Sequence, residues 1–257
     1  MSQLKKEPDV DIIIPNFNKA KFLDECIQSV IQQSYSNWKL FIIDDASKDN
    51  SINILKKYEN MEKITIVKLK KNKGPAFCRN LGMRLSKSKY ISFLDSDDIW
   101  TKDKLRKQID FMIKHNYDFT YTDYLPFFHN INNKIFKKKT NLKKSFTYEE
   151  FILNSSINSS TMIINRNIVF NYKFKKTKIL EDYLFKCEIL KNGKTAYKLS
   201  DNLAFYRIVS NARSSNRILN FIWLWKINKK YNNLNIFNNI KSIIFISINS
   251  LKKYGIK

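Results

Sequence analysis

Short apolar runs separated by helix-patterned segments dominate the first half of this chain, and that alternation leaves few folds open to it. The runs Val10 to Pro15, Lys39 to Ile43, Ile64 to Val67 and Tyr90 to Leu94 have the length of buried strands. Between them apolar residues recur at helical spacing. Phe22, Leu23, Cys26, Ile27, Val30 and Ile31 follow the first run, with Asn18 placed to cap their helix. Ile52, Leu55 and Tyr58 follow the second, and Phe77, Cys78, Leu81 and Leu85 give the third helix its apolar side. A helix over Asp103 to His115 and a strand at Phe119 to Tyr121 continue the rhythm. A chain that reaches each new strand through a helix builds an α/β fold: an open, mostly parallel sheet with helices on both faces.

Beyond this the pattern loosens. Tyr124 to Lys144 is aperiodic and basic, as a surface crossover loop would be. A short helix near Tyr148 to Leu153, a strand at Thr161 to Ile164, a helix at Leu180 to Lys191 and a strand at Leu203 to Tyr206 then follow. From Arg217 onward aromatic and aliphatic residues (Phe221, Ile222, Trp223, Leu224, Trp225, Ile227) are interleaved with Lys226, Lys229 and Lys230, and Ile240 to Leu251 adds a second apolar segment beside Lys241, Lys252 and Lys253. Such a basic amphipathic helical tail can lie in a membrane interface or pack on the domain.

At 257 residues the chain can bury a full core, and 43% hydrophobic with 14% aromatic residues excludes disorder. A formal charge of +24 predicts attraction to a polyanion: nucleic acid, anionic headgroups or a phosphorylated substrate. Solvated surface lysines account for part of it. Cys26, Cys78 and Cys187 are odd in number and far apart, which supports buried thiols in a reducing compartment, the cytoplasm, over a disulfide framework or a zinc site. The stretch Met1 to Asp9 is too polar for a signal peptide, and no apolar run approaches the roughly 18 residues of a membrane span.

In open α/β sheets ligands bind beyond the carboxyl ends of the strands. Three runs end there in polar or acidic groups: Asn16, Asp44 with Asp45, and Asp95 to Asp98. Asp95, Asp97 and Asp98 crowd three carboxylates into four residues, which becomes favourable when a hard divalent cation and a polyhydroxyl ligand sit among them. Oxygen-only ligands suit Mg2+ or Mn2+, and the isolated His115 and His129 argue against a zinc hydrolase. Helix capping at Ile99-Trp100 would explain one aspartate and not three. Arg79 supplies a permanently charged fork suited to a diphosphate, or stands as a solvated helix residue.

In this order the motifs resemble those of the inverting family 2 glycosyltransferases, which have a GT-A nucleotide-sugar fold. Ile14-Pro15-Asn16-Phe17-Asn18 matches the opening element, Ile43-Asp44-Asp45-Ala46-Ser47 the D-D-G-S element, and Asn72-x-Gly74 with Arg79-Asn80 the next. Asp95-Ser96-Asp97-Asp98 matches D-x-D, Leu180-Glu181-Asp182 the E-D element, and Tyr206-Arg207 with Ser210 to Ser214 the region after it. Ala46 stands where the family usually has Gly, and Cys78 where Ala is common.

The resemblance implies a division into a 1–215 transferase domain, with a nucleotide-sugar half at 9–115 and an acceptor half at 116–215, and a basic helical tail at 216–257. It implies that Pro15, Asn16, Asn18 and Asp44 line the donor site, with Pro15 and Asp44 contacting a uracil base and Arg79 beside base and diphosphate. Asp95 would hold the ribose hydroxyls, Asp97 would bind Mn2+ or Mg2+ with Asp95 nearby, and Asp98 would support the site. Asp182 would be the general base, with Glu181 the second candidate, and Arg207 or Arg213 would contact the diphosphate. No Gln-x-x-Arg-Trp element of processive members is present, so the resemblance implies one sugar added per acceptor.

Its bacterial members imply the rest. The donor is a UDP-sugar, UDP-glucose before UDP-galactose, and the acceptor a GlcNAc-diphosphate-undecaprenol-type lipid of O-antigen assembly, or a lipooligosaccharide, capsule or teichoic-acid counterpart. The positive charge then serves an anionic membrane surface, with the protein attached peripherally at the inner face of the bacterial plasma membrane. Two other classes compete. A nucleotidyltransferase would open with a Gly-rich loop where Asn16-Phe17-Asn18 stands, and a nucleic-acid-binding module would leave the acidic strand ends without a purpose.

Overall fold

A computed structural model of the chain describes residues 9–128, 135–136, 142–209 and 216–254. Its first half is β1 (Val10–Asn16), α1 (Ala20–Ile31), β2 (Trp38–Asp44), α2 (Ser51–Lys56), β3 (Ile64–Lys68), α3 (Pro75–Leu85) and β4 (Tyr90–Phe93). The second continues with β5 (Ile99–Trp100), α4 (Lys104–His115), β6 (Phe119–Phe128), β7 (Ile135–Phe136), β8 (Ser145–Phe146) and α5 (Tyr148–Phe151). A 3-10 turn at Ser159–Thr161 leads to β9 (Ile163–Asn165), α6 (Arg166–Val169), α7 (Glu181–Lys191), β10 (Ala196–Arg207), α8 (Arg217–Lys230) and α9 (Ile236–Tyr254).

The main path of the sheet runs β3-β2-β1-β4-β9-β6-β10-β5, with β7 on β6 and β8 on β10. The pairs β2/β3, β1/β2, β1/β4 and β6/β10 are parallel, and β9 enters antiparallel between β4 and β6. Val10, Ile12, Ile13 and Ile14 of β1 are wholly buried, as a strand at the centre of a covered parallel sheet requires. Asp11, an acid inside that run, accepts hydrogen bonds from Ser86, Lys87 and Ser88 and so anchors the turn into β4.

Helix α3 differs from its expected orientation. Its buried face carries Ala76, Cys78, Arg79, Gly82 and Met83, while Leu85 is exposed and Phe77 and Leu81 are half-buried. Gly82 is the cause: a Cβ there would lie 2.5 Å from Ile13 Cγ2, so α3 approaches β1 at a distance only glycine allows. That roll turns Arg79 inward. Strands β6 and β10 also run longer than their apolar patterns predict, because each pairs with the other and the first residues assigned to the crossover loop, Tyr124 to Phe128, are strand.

Cys26, Cys78 and Cys187 are buried free thiols. Leu224 and Ile227 of α8 and Ile243 of α9 join the main apolar core, so both tail helices pack on the body. Among the described residues no helix is long and apolar enough to cross a membrane.

Candidate active site

The ends of β2, β1 and β4, adjacent and parallel, share one edge of the sheet, and the donor-side candidates gather there. Asn16 sits in register with Asp44 and donates from Nδ2 to Asp44 Oδ1 at 2.7 Å. Ser47 donates to the same carboxylate from Oγ at 2.6 Å and from its backbone N–H at 3.0 Å. Asp44 is fully buried and held by this loop, and Asn16 Oδ1 is buried without a protein partner. Asp45, absent from the sequence-derived site, accepts from the Lys73 and Gly74 backbone N–H groups at 2.6 and 2.8 Å and so ties the entry of α3 to β2. Between them Ala46 has φ of 60°, the left-handed region that favours the glycine usual in the motif.

Pro15 is half-buried beside Ile43. Asn18 does not cap α1. Its φ is 52°, its Oδ1 accepts from the Lys48 backbone at 2.7 Å, and the first-turn N–H of Ala20 is instead satisfied by Asp49 at 2.8 Å. The polar loop after β2 serves the helix after β1, a tertiary contact no local pattern encodes.

After β4 the three acids separate. Asp95 and Asp97 are half-buried, and Asp98 is buried. Asp95 Oδ1 accepts from Arg79 Nη2 at 2.6 Å, and Asp97 Oδ2 from Lys19 Nζ at 2.6 Å. Asp98 accepts from the Arg207 backbone at 2.9 Å and from Ser160 Oγ at 2.6 Å. Burial, then the charges of Asp97 and Asp95, push its carboxyl well above the usual range. Two cations and two neutral donors thus balance the crowding that the sequence made conspicuous.

Arg207 is buried between the rings of Phe22 and Phe127, 4.4 and 4.5 Å from their centroids. It donates from Nε to the Asp97 carbonyl at 2.7 Å and from Nη2 to Glu25 at 2.5 Å, so it clamps the backbone of the acidic turn. Glu25 and Lys19, both reaching the turn from the α1 region, carry no sequence signal of that role. Arg213, Ser210 to Ser214 and His129 lie outside the described residues.

Arg79 joins this turn to α7. It is 5% exposed, pairs through Nη1 with Glu181 at 3.3 Å as well as with Asp95, and lies over the Phe174 ring at 5.3 Å. Burial would lower its pKa, but Asp95, Glu181 and Asp182 outweigh that and hold it above its ordinary value. The residue before Glu181, Leu180, has φ of 63°, a left-handed conformation costing a leucine about 1 to 2 kcal/mol. It swings the first turn of α7 toward the acidic turn.

Asp182 is 34% exposed at its side chain, and Oδ2 accepts from Lys186 Nζ at 2.7 Å and from Ser159 Oγ at 3.3 Å. Burial would raise this carboxyl, but Lys186 and Arg79 hold it down to about 2. Ser159 and Ser160, adjacent on the 3-10 turn, reach Asp182 and Asp98 respectively, so one turn stitches both acidic elements together. Sequence reasoning missed this turn, because two serines before a strand carry no periodic signal.

Asp95 and Asp97 are the candidate cation ligands. Among the described residues no group of three or more His, Cys, Asp or Glu could hold a metal ion. As half-buried oxygen donors, Asp95 and Asp97 would suit a hard cation such as Mg2+ or Mn2+.

Residues 11–180 match the family model "Glycosyl transferase family 2". A Bacillus subtilis glycosyltransferase named TuaG, for teichuronic acid biosynthesis, is 34% identical over 87% of this chain and 86% of its own length. WfgD of Escherichia coli, named a UDP-Glc:alpha-D-GlcNAc-diphosphoundecaprenol beta-1,3-glucosyltransferase, is 31% identical over 85% of this chain and 84% of its own. The crystal structure of Staphylococcus aureus TarS residues 1–349 with UDP-GlcNAc superposes with a TM-score of 0.73 at 20% identity, covering 95% of this chain and 73% of that one. The sheet and its helices are therefore of the GT-A type.

Proposed function

This chain belongs to glycosyl transferase family 2, and from that premise we propose that it is an inverting hexosyltransferase moving one sugar from a UDP-sugar to a lipid-diphosphate-linked GlcNAc acceptor. The observation that carries this reading is the junction of the acidic turn with Asp182 through Arg79 and the Ser159-Ser160 turn. These contacts support a reading in which the donor-side residues and the partly exposed Asp182 carboxylate work together.

In this reading Pro15, Asn16 and Asp44 receive the base, with the unpartnered Asn16 Oδ1 available to a base N–H. Asn18 holds the loop at its edge. Asp95, steadied by Arg79, accepts from the ribose hydroxyls. Asp97 and Asp95 would hold Mn2+ or Mg2+, which would supply Lewis-acid neutralisation of the departing diphosphate. Lys19 holds the Asp97 carboxylate at 2.6 Å, and Arg207 and Asp98 fix the turn rather than touch the donor.

Asp182 takes the proton of the acceptor hydroxyl as that oxygen attacks the anomeric carbon, opposite the leaving diphosphate. Single displacement inverts the centre. Glu181, buried against Arg79, positions that arginine instead of acting as base. Asp182 is ionised throughout the neutral range, so the base is always ready and its strength is modest.

UDP-glucose, the donor for which WfgD is named, is the first to test, and UDP-galactose the next. The similarity to TuaG supports a second reading, in which the acceptor belongs to a teichuronic-acid-type polymer. Peripheral attachment at the inner face of the plasma membrane follows from a lipid-linked acceptor. A screen of UDP-sugars with Mn2+ and a synthetic GlcNAc-diphosphate-lipid, read by product mass and anomeric configuration, tests all of this. Full transfer by both Asp97→Ala and Asp182→Ala, or retention of configuration, would overturn it.

A further inference from the structure

Helix α9 packs on the body through Ile243 and a row of polar side chains, and turns its most continuous apolar stripe outward. Toward the body, Asn239 donates to the Trp225 carbonyl at 3.2 Å, Ser242 to that of Ile152 at 2.5 Å and Asn249 to that of Leu153 at 3.2 Å, and Lys253 reaches Ser156 Oγ. On the opposite side Ile236, Ile240, Ile244, Ile248 and Leu251 recur three or four residues apart, each between 42% and 71% exposed. Phe237 and Phe245, 75% and 47% exposed, widen the stripe. Helices on soluble surfaces are patterned the other way, and a contiguous exposed apolar stripe marks a surface that meets something apolar.

We propose that this stripe is a docking surface for an anionic bilayer, with α9 lying in the plane of the headgroups. Lys241 and Lys252 are exposed, and helical geometry puts them along one flank of the stripe. After Asp201 the chain carries ten Lys and Arg and no Asp or Glu. A second copy on the same stripe would bring these lysines against each other, whereas anionic headgroups complement them. The helix is 19 residues long, and apolar residues on one side with lysines at the edge suit interfacial insertion rather than spanning. Its inner face holds the segment Ile152 to Ser156, whose next carbonyl, Ile157, accepts from Lys186, the partner of Asp182. Docking through α9 therefore sets the acceptor side of the cleft toward the lipid. The inference rests on the lipid-linked acceptor of the proposed function and names the surface that meets the membrane.

The test is flotation of the full chain with phosphatidylglycerol-containing vesicles and with pure phosphatidylcholine vesicles, without acceptor. Wild type is expected to float with the anionic vesicles. The exposed triple variant Ile240→Ser, Ile244→Ser, Ile248→Ser should lose at least about tenfold in partitioning. Lys241→Gln with Lys252→Gln should lose about fivefold per lysine, confined to anionic vesicles. Both variants should keep wild-type transfer to a short water-soluble acceptor, which shows them folded. Undiminished flotation of the triple variant overturns the proposal, as does a wild-type dimer that floats with neither vesicle and that the triple variant splits. α9-dependent flotation by a chain that transfers no sugar leaves this surface standing and removes the transferase reading instead.

Discussion

Lys186 Nζ lies 2.7 Å from Asp182 Oδ2, one helical turn further along α7, and the two partners differ in access: the lysine side chain is 2% exposed and the aspartate 34%. The cation is fixed in the protein, also bonded to the Ile157 carbonyl at 2.7 Å, while about a third of the anion's side chain is exposed. Lys186 and Ser159 both hold Oδ2, which orients the carboxylate without sealing it.

Replacing Lys186 with Gln keeps a donor and removes the charge. Burial then raises the Asp182 carboxyl from its held-down value of about 2, so the acid limb of kcat/KM against pH should move upward. Because the folded carboxyl titrates below its unfolded value of about 3.9, its contribution to wild-type stability is present above that pH and disappears as pH falls through about 2. In Lys186→Gln that loss should begin at higher pH. An unshifted acid limb would show that Lys186 merely fills space.

Asp182→Asn should cost about 10² to 10⁴ in kcat with UDP binding retained, the scale of a lost general base. Glu181→Gln should act chiefly on folding stability and on KM for the donor, because it leaves Arg79 with one carboxylate in place of two. Steady-state kinetics beside UDP titration separates the two acids.

How much of this was legible in the sequence depends on the range of the interactions. The strands of the first half and their acidic ends were readable, because period and strand-end chemistry are local. Tyr124 to Phe128 was misread as loop because its strand character depends on β10, far along the chain. Asn18 fits a cap locally, yet Asp49 caps α1 across a loop. Lys19, Glu25, Ser159 and Ser160 were missed for the same reason, each reaching the acidic elements only through tertiary approach. The tail was left open between packing and exposure, and α9 does both on opposite faces.

Asp97→Asn should uncouple UDP-sugar affinity from Mn2+. Wild type is expected to lose UDP-sugar affinity when the cation is chelated, the variant little more than it has already lost. Calorimetric titration with and without EDTA checks this independently of turnover.

Ala46 at φ of 60° pays a left-handed cost that glycine does not. Ala46→Gly should leave unfolding free energy unchanged or raise it by up to about 1 kcal/mol, the relief being offset by the greater freedom of glycine when unfolded. Ala46→Val should destabilise and loosen the Asp44 loop, seen in urea unfolding and weaker UDP binding.

Arg79 carries the largest expected stability effect. Its guanidinium spans Asp95 on the turn after β4 and Glu181 at the start of α7, with its side chain 6% exposed. A lysine offers one compact charge and cannot meet two carboxylates in divergent directions, so Arg79→Lys should restore little. Arg79→Met matches the apolar stem against Phe174 but takes the arginine charge from the buried Glu181, a loss of about 3 to 5 kcal/mol where a buried pair is broken from one side. The double variant Arg79→Met, Glu181→Met removes both buried charges and should recover part of that stability, while donor binding stays weak because Asp95 has lost its brace. Urea unfolding of the three variants beside UDP titration distinguishes an arginine that holds the cleft together from one that only touches the donor: recovery of stability without recovery of binding supports the first, and unchanged stability in Arg79→Met rejects it.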